Sequence, residues 1–149
     1  MKDILDVVEH IVAERIPFNR ILGIQVISLH SDQVAMKFDM RPELIGNYLR
    51  GTLHGGVISA TLDLAGGIAA FISNINKVKS DSLEAKVERF ARLGTIDLRI
   101  DYLRPGLGQS FVATAYILRS GNKVAVTRME LHNDLKELIA VGTAAYVIA

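Results

Sequence analysis

The chain predicts an α+β fold in which a curved antiparallel sheet wraps around one buried helix, and three observations carry that expectation. The run from Thr52 to Asn76 sets Val57, Ile58, Leu62, Leu64, Ala65, Ile68, Ala69, Phe71 and Ile72 on every side of a 3.6-residue helix. Beyond Gly94 the hydrophobic period changes to two and stays there. One helix cannot cover itself, but a sheet of about six strands, two before the helix and four after it, can curl round and bury it.

Taken in order, Ile4, Val7, Val8, Ile11 and Val12 recur at helical spacing between charged residues, so 3–15 reads as an amphipathic surface helix that Pro17 ends. After Leu22-Gly23, the Ile- and Val-rich stretch Ile24 to Leu29 is followed by the turn signal His30-Ser31-Asp32. In Gln33 to Met40, Val34, Met36, Phe38 and Met40 alternate with Gln33, Ala35, Lys37 and Asp39, which makes the pair two antiparallel strands joined by a tight turn. Arg41-Pro42 stops the second strand, and Glu43 to Gly51 is an irregular connection holding Asn47 ahead of the long helix. Within that helix Gly66 and Gly67 each cost about 1 kcal/mol against alanine, so another backbone is expected to pass close by.

From Lys77 to Arg92 charge density jumps, and Leu83, Val87, Phe90 and Ala91 suggest a short exposed helix. Residues 76–92 therefore read as a surface insertion, or a lid, on one domain spanning 1–149. Next, Ile96, Leu98, Ile100 and Tyr102 alternate with Thr95, Asp97, Arg99 and Asp101 in a strand that Pro105-Gly106 closes. Phe111 to Leu118 is apolar on both faces, as a central strand is. Ser120-Gly121-Asn122 turns it into Lys123 to Leu131, and His132-Asn133-Asp134 leads into Glu137 to Ile148. Such a sheet keeps two edges; pairing them between copies removes them, so a homodimer, or a dimer of dimers, is expected.

Seventeen basic against sixteen acidic residues give a net charge of +1 with no polybasic run, so nothing points to nucleic acid or an anionic membrane surface. With no cysteine, disulfides, thiolate zinc sites and a cysteine nucleophile are excluded together. His10, His30 and His132 fall at surface or turn positions without ligand spacing for a metal. MKDILDVVEH mixes acids with apolar residues and makes a poor signal peptide, so the cytoplasm is the expected location. The long helix is broken by four Gly and by Asp63, and lacks the roughly 18 uncharged apolar residues of a membrane span.

Asp63 is the one ionisable side chain between Gly55 and Asn76. An unpaired buried charge costs several kcal/mol, so this carboxylate either holds the helix in register through a backbone hydrogen bond or serves a site. Ahead of it, Leu53-His54-Gly55-Gly56 opens the helix, where first-turn N–H groups lack partners, the dipole is positive, and glycine lets a ligand approach the backbone. An anionic ligand could sit there.

Three pieces carry a resemblance: Leu53-His54-Gly55-Gly56 with Asp63 nine positions after the histidine; the strand Thr95-Ile96-Asp97-Leu98-Arg99-Ile100-Asp101-Tyr102-Leu103-Arg104-Pro105; and the turn Ser120-Gly121-Asn122. From Phe18 to the final strand the chain resembles the hotdog-fold PaaI-like acyl-CoA thioesterases, a branch of the 4-hydroxybenzoyl-CoA thioesterase superfamily. The resemblance implies that the Gly55 N–H polarises a thioester carbonyl while Asp63 of the other subunit acts as general base or nucleophile. It implies that Thr95 holds the attacking water, Asn47 fixes the water or the loop, and His54 braces the loop. Acyl-CoA is the implied substrate, with no metal and no cofactor. Gly56, Val57 and Asp97 are candidate substrate contacts, and Arg104 and Lys123 are candidates for the CoA phosphates, with Arg89 and Arg92 of the insertion behind them; each of these cations can equally be a plain solubilising charge. A non-catalytic acyl-CoA-binding module would keep the glycines yet could dispense with Asp63. A dehydratase would need a histidine base, for which His54 ahead of two glycines is poorly placed.

Overall fold

The computed structural model describes residues 2–149. An amphipathic helix α1 (Lys2–His10) buries Ile4 and Val8 and runs into a π-helical turn over Ile11–Arg15, closed by Ile16 N–H donating to Ile11 O at 3.1 Å. The expectation that Pro17 merely ends this helix is corrected: Pro17 opens a second one, α2 (Pro17–Leu22), at the first position, where a missing N–H costs nothing. Gly23, at φ 73°, caps α2 in the left-handed conformation. Asn19 is buried because its Nδ2 donates to Val12 O at 3.0 Å, tying the two helical pieces together.

Strands β1 (Gln25–Leu29) and β2 (Val34–Asp39) form the expected hairpin, with a bulge between Val26 and Ser28. The connection read as irregular contains a 3-10 turn (Pro42–Leu44) and a small hairpin of β3 (Ile45–Asn47) and β4 (Thr52–Leu53). The long helix α3 spans Gly55–Lys77, and α4 (Leu83–Ala91) follows it, capped by Ser82 Oγ accepting from Ala85 N–H. Then come β5 (Gly94–Tyr102), β6 (Ser110–Ser120), β7 (Val124–Asn133) and β8 (Leu138–Val147). Six strands make one antiparallel sheet in the order β1-β2-β6-β7-β8-β5, leaving β1 and β5 as its edges.

The sheet's inner face buries Met36, Phe38, Phe111, Met129 and Leu131 against α3, interleaved with Ala113, Ala115, Ala125, Ala140 and Ala144. Small and large side chains thus alternate under the helix, with Phe38 stacked on its cross-strand partner Phe111 at 5.3 Å. Gly66 and Gly67 make room for side chains rather than for another backbone, which corrects the expectation. A Cβ on Gly66 would lie 2.5 Å from Tyr146 Oη and 2.7 Å from Thr127 Oγ1.

Burial of α3 is also less complete than its composition predicts. Gly56 is exposed, and Ser59, Ala60, Asp63 and Leu64 are half-buried, forming a stripe at i, i+3, i+4 spacing that one copy of the chain leaves open. α3 is long and apolar enough to cross a membrane, with mean hydropathy 1.6 over its most apolar window, yet 67% of that window is buried in the fold. It is a core helix. α4 docks on it through Phe90, edge-on to Phe71 at 5.1 Å, while Arg89 Nε donates to Asp81 Oδ2 at 2.8 Å.

Candidate active site

Asp63 lies in the open stripe of α3, where the first residues of β5 and the last of β8 meet it. Thr95 and Tyr146 are cross-strand partners in the β5–β8 register, and both reach the same carboxylate oxygen. Thr95 Oγ1 donates to Asp63 Oδ1 at 2.9 Å; Tyr146 Oη lies 3.1 Å from that oxygen and 2.8 Å from the main-chain oxygen of Asp63. Oδ2 accepts no hydrogen bond among the described residues. Burial first, and then the charge of Asp63, hold the Tyr146 phenol well above the ordinary tyrosine range, so it stays a donor. A cleft of about 180 Å³ opens here, lined by Asp63, Thr95 and Tyr146 and walled by Leu64, Ile68, Phe90 and Leu93.

A second constellation sits at the start of α3. His54 is the N-cap, and its Nδ1 accepts the Gly56 N–H at 2.8 Å, which requires the neutral ring to carry its proton on Nε2. The ring occupies the space beside Gly56, where a Cβ would lie 2.9 Å from Nδ1. With the Gly56 donor taken, the Gly55 N–H is left without an acceptor among the described residues. Tyr102 Oη donates to Gly55 O at 3.0 Å and fixes that peptide from β5. The donor left over therefore sits in a braced loop.

Eight residues of helix separate Gly55 from Asp63, about 12 Å at 1.5 Å per residue. No carbonyl group can touch both within one chain. Within one copy the Gly55 donor and the Asp63 carboxylate are therefore two separate constellations.

A family model described as the thioesterase superfamily matches residues 50–140, which include Gly55, Asp63 and Thr95. The chain belongs to that superfamily. This thioesterase is 44% identical over 132 residues to the medium/long-chain acyl-CoA thioesterase YigI of Escherichia coli K12, covering 89% of this chain and 85% of that protein. It is 30% identical over 128 residues to human acyl-coenzyme A thioesterase 13, covering 84% of this chain and 80% of that protein. A crystal structure from Shewanella oneidensis, described as related to the thioesterase superfamily, superposes with TM-score 0.95 at 40% identity over 99% of this chain and 97% of that one. The hotdog fold and a thioester hydrolase are thereby shown.

The other candidate residues of the thioesterase are scattered around these two constellations. Val57 is buried in the first turn of α3, Gly56 is exposed beside it, and Asp97 is exposed on edge strand β5, next to a bulge. Asn47 lies in β3, and its Oδ1 accepts from the N–H groups of Leu49 and Arg50 at 3.2 and 3.3 Å, so its side chain shapes the turn before the helix. Arg104 Nη1 donates to Leu138 O at 2.8 Å, whereas Lys123 and Arg92 have no carboxylate partner among the described residues. Arg89 is engaged by Asp81. Tyr146 and Tyr102 are the residues that sequence reasoning missed. A phenol in the aliphatic run Ala144-Ala145-Tyr146-Val147 was the available signal, since a buried hydroxyl needs a partner.

A larger cavity, about 690 Å³, opens between Leu5, Leu29, Ile72 and Lys86. Ile72 is nine residues beyond Asp63, half a revolution round the helix at about 100° per residue. That cavity shares no lining residue with the cleft beside Asp63 and does not include Gly55.

Proposed function

We propose that the protein hydrolyses acyl-CoA thioesters to free acid and CoA at sites composed by two copies of the chain. The Gly55 N–H of one copy binds the thioester carbonyl oxygen, and Asp63 of the second copy takes a proton from the attacking water through Oδ2. The water oxygen bonds to the carbonyl carbon, negative charge collects on the oxygen facing Gly55, and the C–S bond then breaks to release the thiolate, which is protonated to CoA. Sulfur is a good enough leaving group to need no metal. Losing one such amide donor typically costs about 2.7–4 kcal/mol of barrier.

The observation that carries this reading is the pairing of one unoccupied glycine N–H at a helix start with a carboxylate whose second oxygen is free. Within one chain the two lie too far apart to act together. The edge strand β5 supports a dimer that would bring them together: it carries Thr95 and Tyr102, has no neighbour on one side, and exposes Ile96 and Tyr102 by 54% and 53%. Phe90, Leu93, Leu64 and Ile68 supply an apolar wall for the acyl chain, and the names of the relatives agree with an acyl-CoA substrate. Of the candidate cations, Lys123 and Arg92, without a carboxylate partner among the described residues, would meet the CoA phosphates. A cysteine-free chain of this kind suits the reducing cytoplasm.

Free-thiol release from a panel of acyl-CoAs of graded length tests the reading. Wild type is expected to turn over part of the panel, with Asp63→Asn and Asp63→Ala slower by at least about 10²-fold. Tight acyl-CoA binding without turnover would make the protein a binding module instead.

A further inference from the structure

We infer that Tyr146 is a positioning residue for the Asp63 carboxylate, clamping its rotamer so that Oδ2 alone faces the reacting water; this rests on Asp63 acting as proposed above. Tyr146 Oη approaches two atoms of the same residue, the main-chain oxygen at 2.8 Å and Oδ1 at 3.1 Å, so its one hydrogen bridges the helix backbone and the carboxylate. That double contact fixes how the side chain leaves the helix. Thr95, donating to the same Oδ1 at 2.9 Å, fixes the rotation of the carboxylate about its own bond. The two donors come from opposed positions in one register pair, Tyr146 at 1% exposure from the core and Thr95 from the exposed edge.

The surroundings are built to hold that phenol. Gly66 leaves the hydroxyl its space, since a Cβ there would meet Tyr146 Oη at 2.5 Å, and Gly67 lies against the ring, its Cβ position 3.4 Å from Cε1. Gly66 thus leaves open the point where the Tyr146 hydroxyl and Thr127 Oγ1 converge, whereas at Gly67 a Cβ would make ordinary contact with the ring. Because burial and the neighbouring carboxylate both disfavour the phenolate, the hydroxyl remains a donor across the working pH range.

The test compares Tyr146→Phe, Asp63→Asn and the double variant by steady-state thioester hydrolysis, with thermal unfolding run in parallel. Tyr146→Phe keeps the ring and removes the donor, so kcat is expected to fall about 10- to 100-fold with KM changed less than about twofold, the signature of a misplaced base in a bound complex. In the Asp63→Asn background the same change is expected to leave the residual rate unaltered, because its effect runs through the carboxylate. Gly66→Ala offers a second route, since its methyl group displaces the hydroxyl without deleting it. It too should lower kcat at constant KM, and Tyr146→Phe added to it should cause no further loss. Unchanged kcat in Tyr146→Phe overturns the assignment, as does an equal loss of rate with and without Asp63. A wild-type rate in Asp63→Asn overturns the reading of Asp63 itself, which is a separate result.

Discussion

Gly55 and Gly56 are adjacent glycines with different tasks, and His54 separates them. The Gly56 N–H is consumed by the His54 Nδ1 cap, so the donor at Gly55 is the one left for a ligand. The position allows that donor to be deleted alone. Proline is tolerated at the first position of a helix, and His54, at φ −60° and ψ 134°, already has the extended conformation that a residue before proline adopts. Gly55→Pro should therefore fold with a melting temperature close to wild type while kcat falls about 10²- to 10³-fold. Circular dichroism melting beside thiol release checks it, and a proline variant of full activity would remove Gly55 from the mechanism. Tyr146 makes a stability prediction of its own. Its proton affinity is raised in the folded state, so above the unfolded tyrosine value of about 10 the unfolded chain loses a proton that the folded chain keeps. Stability is then fully present below that pH and falls as pH rises, by up to about 1.4 kcal/mol per pH unit. Urea midpoints between pH 8 and 11 should show this decline in wild type and a shallower one in Tyr146→Phe.

At the scale of elements, α4 and the middle of α3 wall the cleft beside Asp63. The 77–92 segment reads from its charges as a solvated appendage, and much of its surface is that. Its apolar residues act locally: Phe90 packs edge-on against Phe71 and, with Leu93, walls the cleft that holds Asp63 and Thr95. Under the proposed function α4 would act as a lid whose inner face limits the acyl chain. Phe90→Ala should shift the preference across an acyl-CoA length series toward longer or bulkier chains, read as the ratio of kcat/KM between the longest and shortest substrates turned over. An unchanged ratio would return α4 to the role of a covering helix. The elements most readily legible in the sequence were those with unbroken periodicity, α3 and the strands from β5 to β8. The hairpin of β3 and β4 was not, because five strand residues split by a turn carry no period. α2 escaped notice for a related reason: Pro17 stops one helix and begins the next, and only the packing of Asn19 against Val12 O distinguishes the two outcomes. Asp63 could be singled out as a lone acid, whereas its partner Tyr146, 83 residues away, is brought to it only by the packing of β8 against α3.

For the whole molecule, the separation of Gly55 from Asp63 along α3 makes assembly part of the proposed chemistry. The open stripe holding Ser59, Ala60, Asp63 and Leu64, together with the unpaired edge of β5, is the surface on which a second copy would complete both sites. The consequence can be measured by mixing two inactive proteins. Gly55→Pro lacks the carbonyl donor and Asp63→Asn lacks the base. In a heterodimer of the two, one site receives both defects, while the other receives the intact Gly55 of one chain and the intact Asp63 of the other. Random exchange makes half of the dimers heterodimers, each with one working site of two, so the mixture should recover about a quarter of wild-type activity. If donor and base belonged to the same chain, every subunit in the mixture would carry one defect and no activity would return. Co-expression with two affinity tags isolates the heterodimer, whose rate should then approach half that of wild type, with a KM close to the wild-type value because its surviving site is complete.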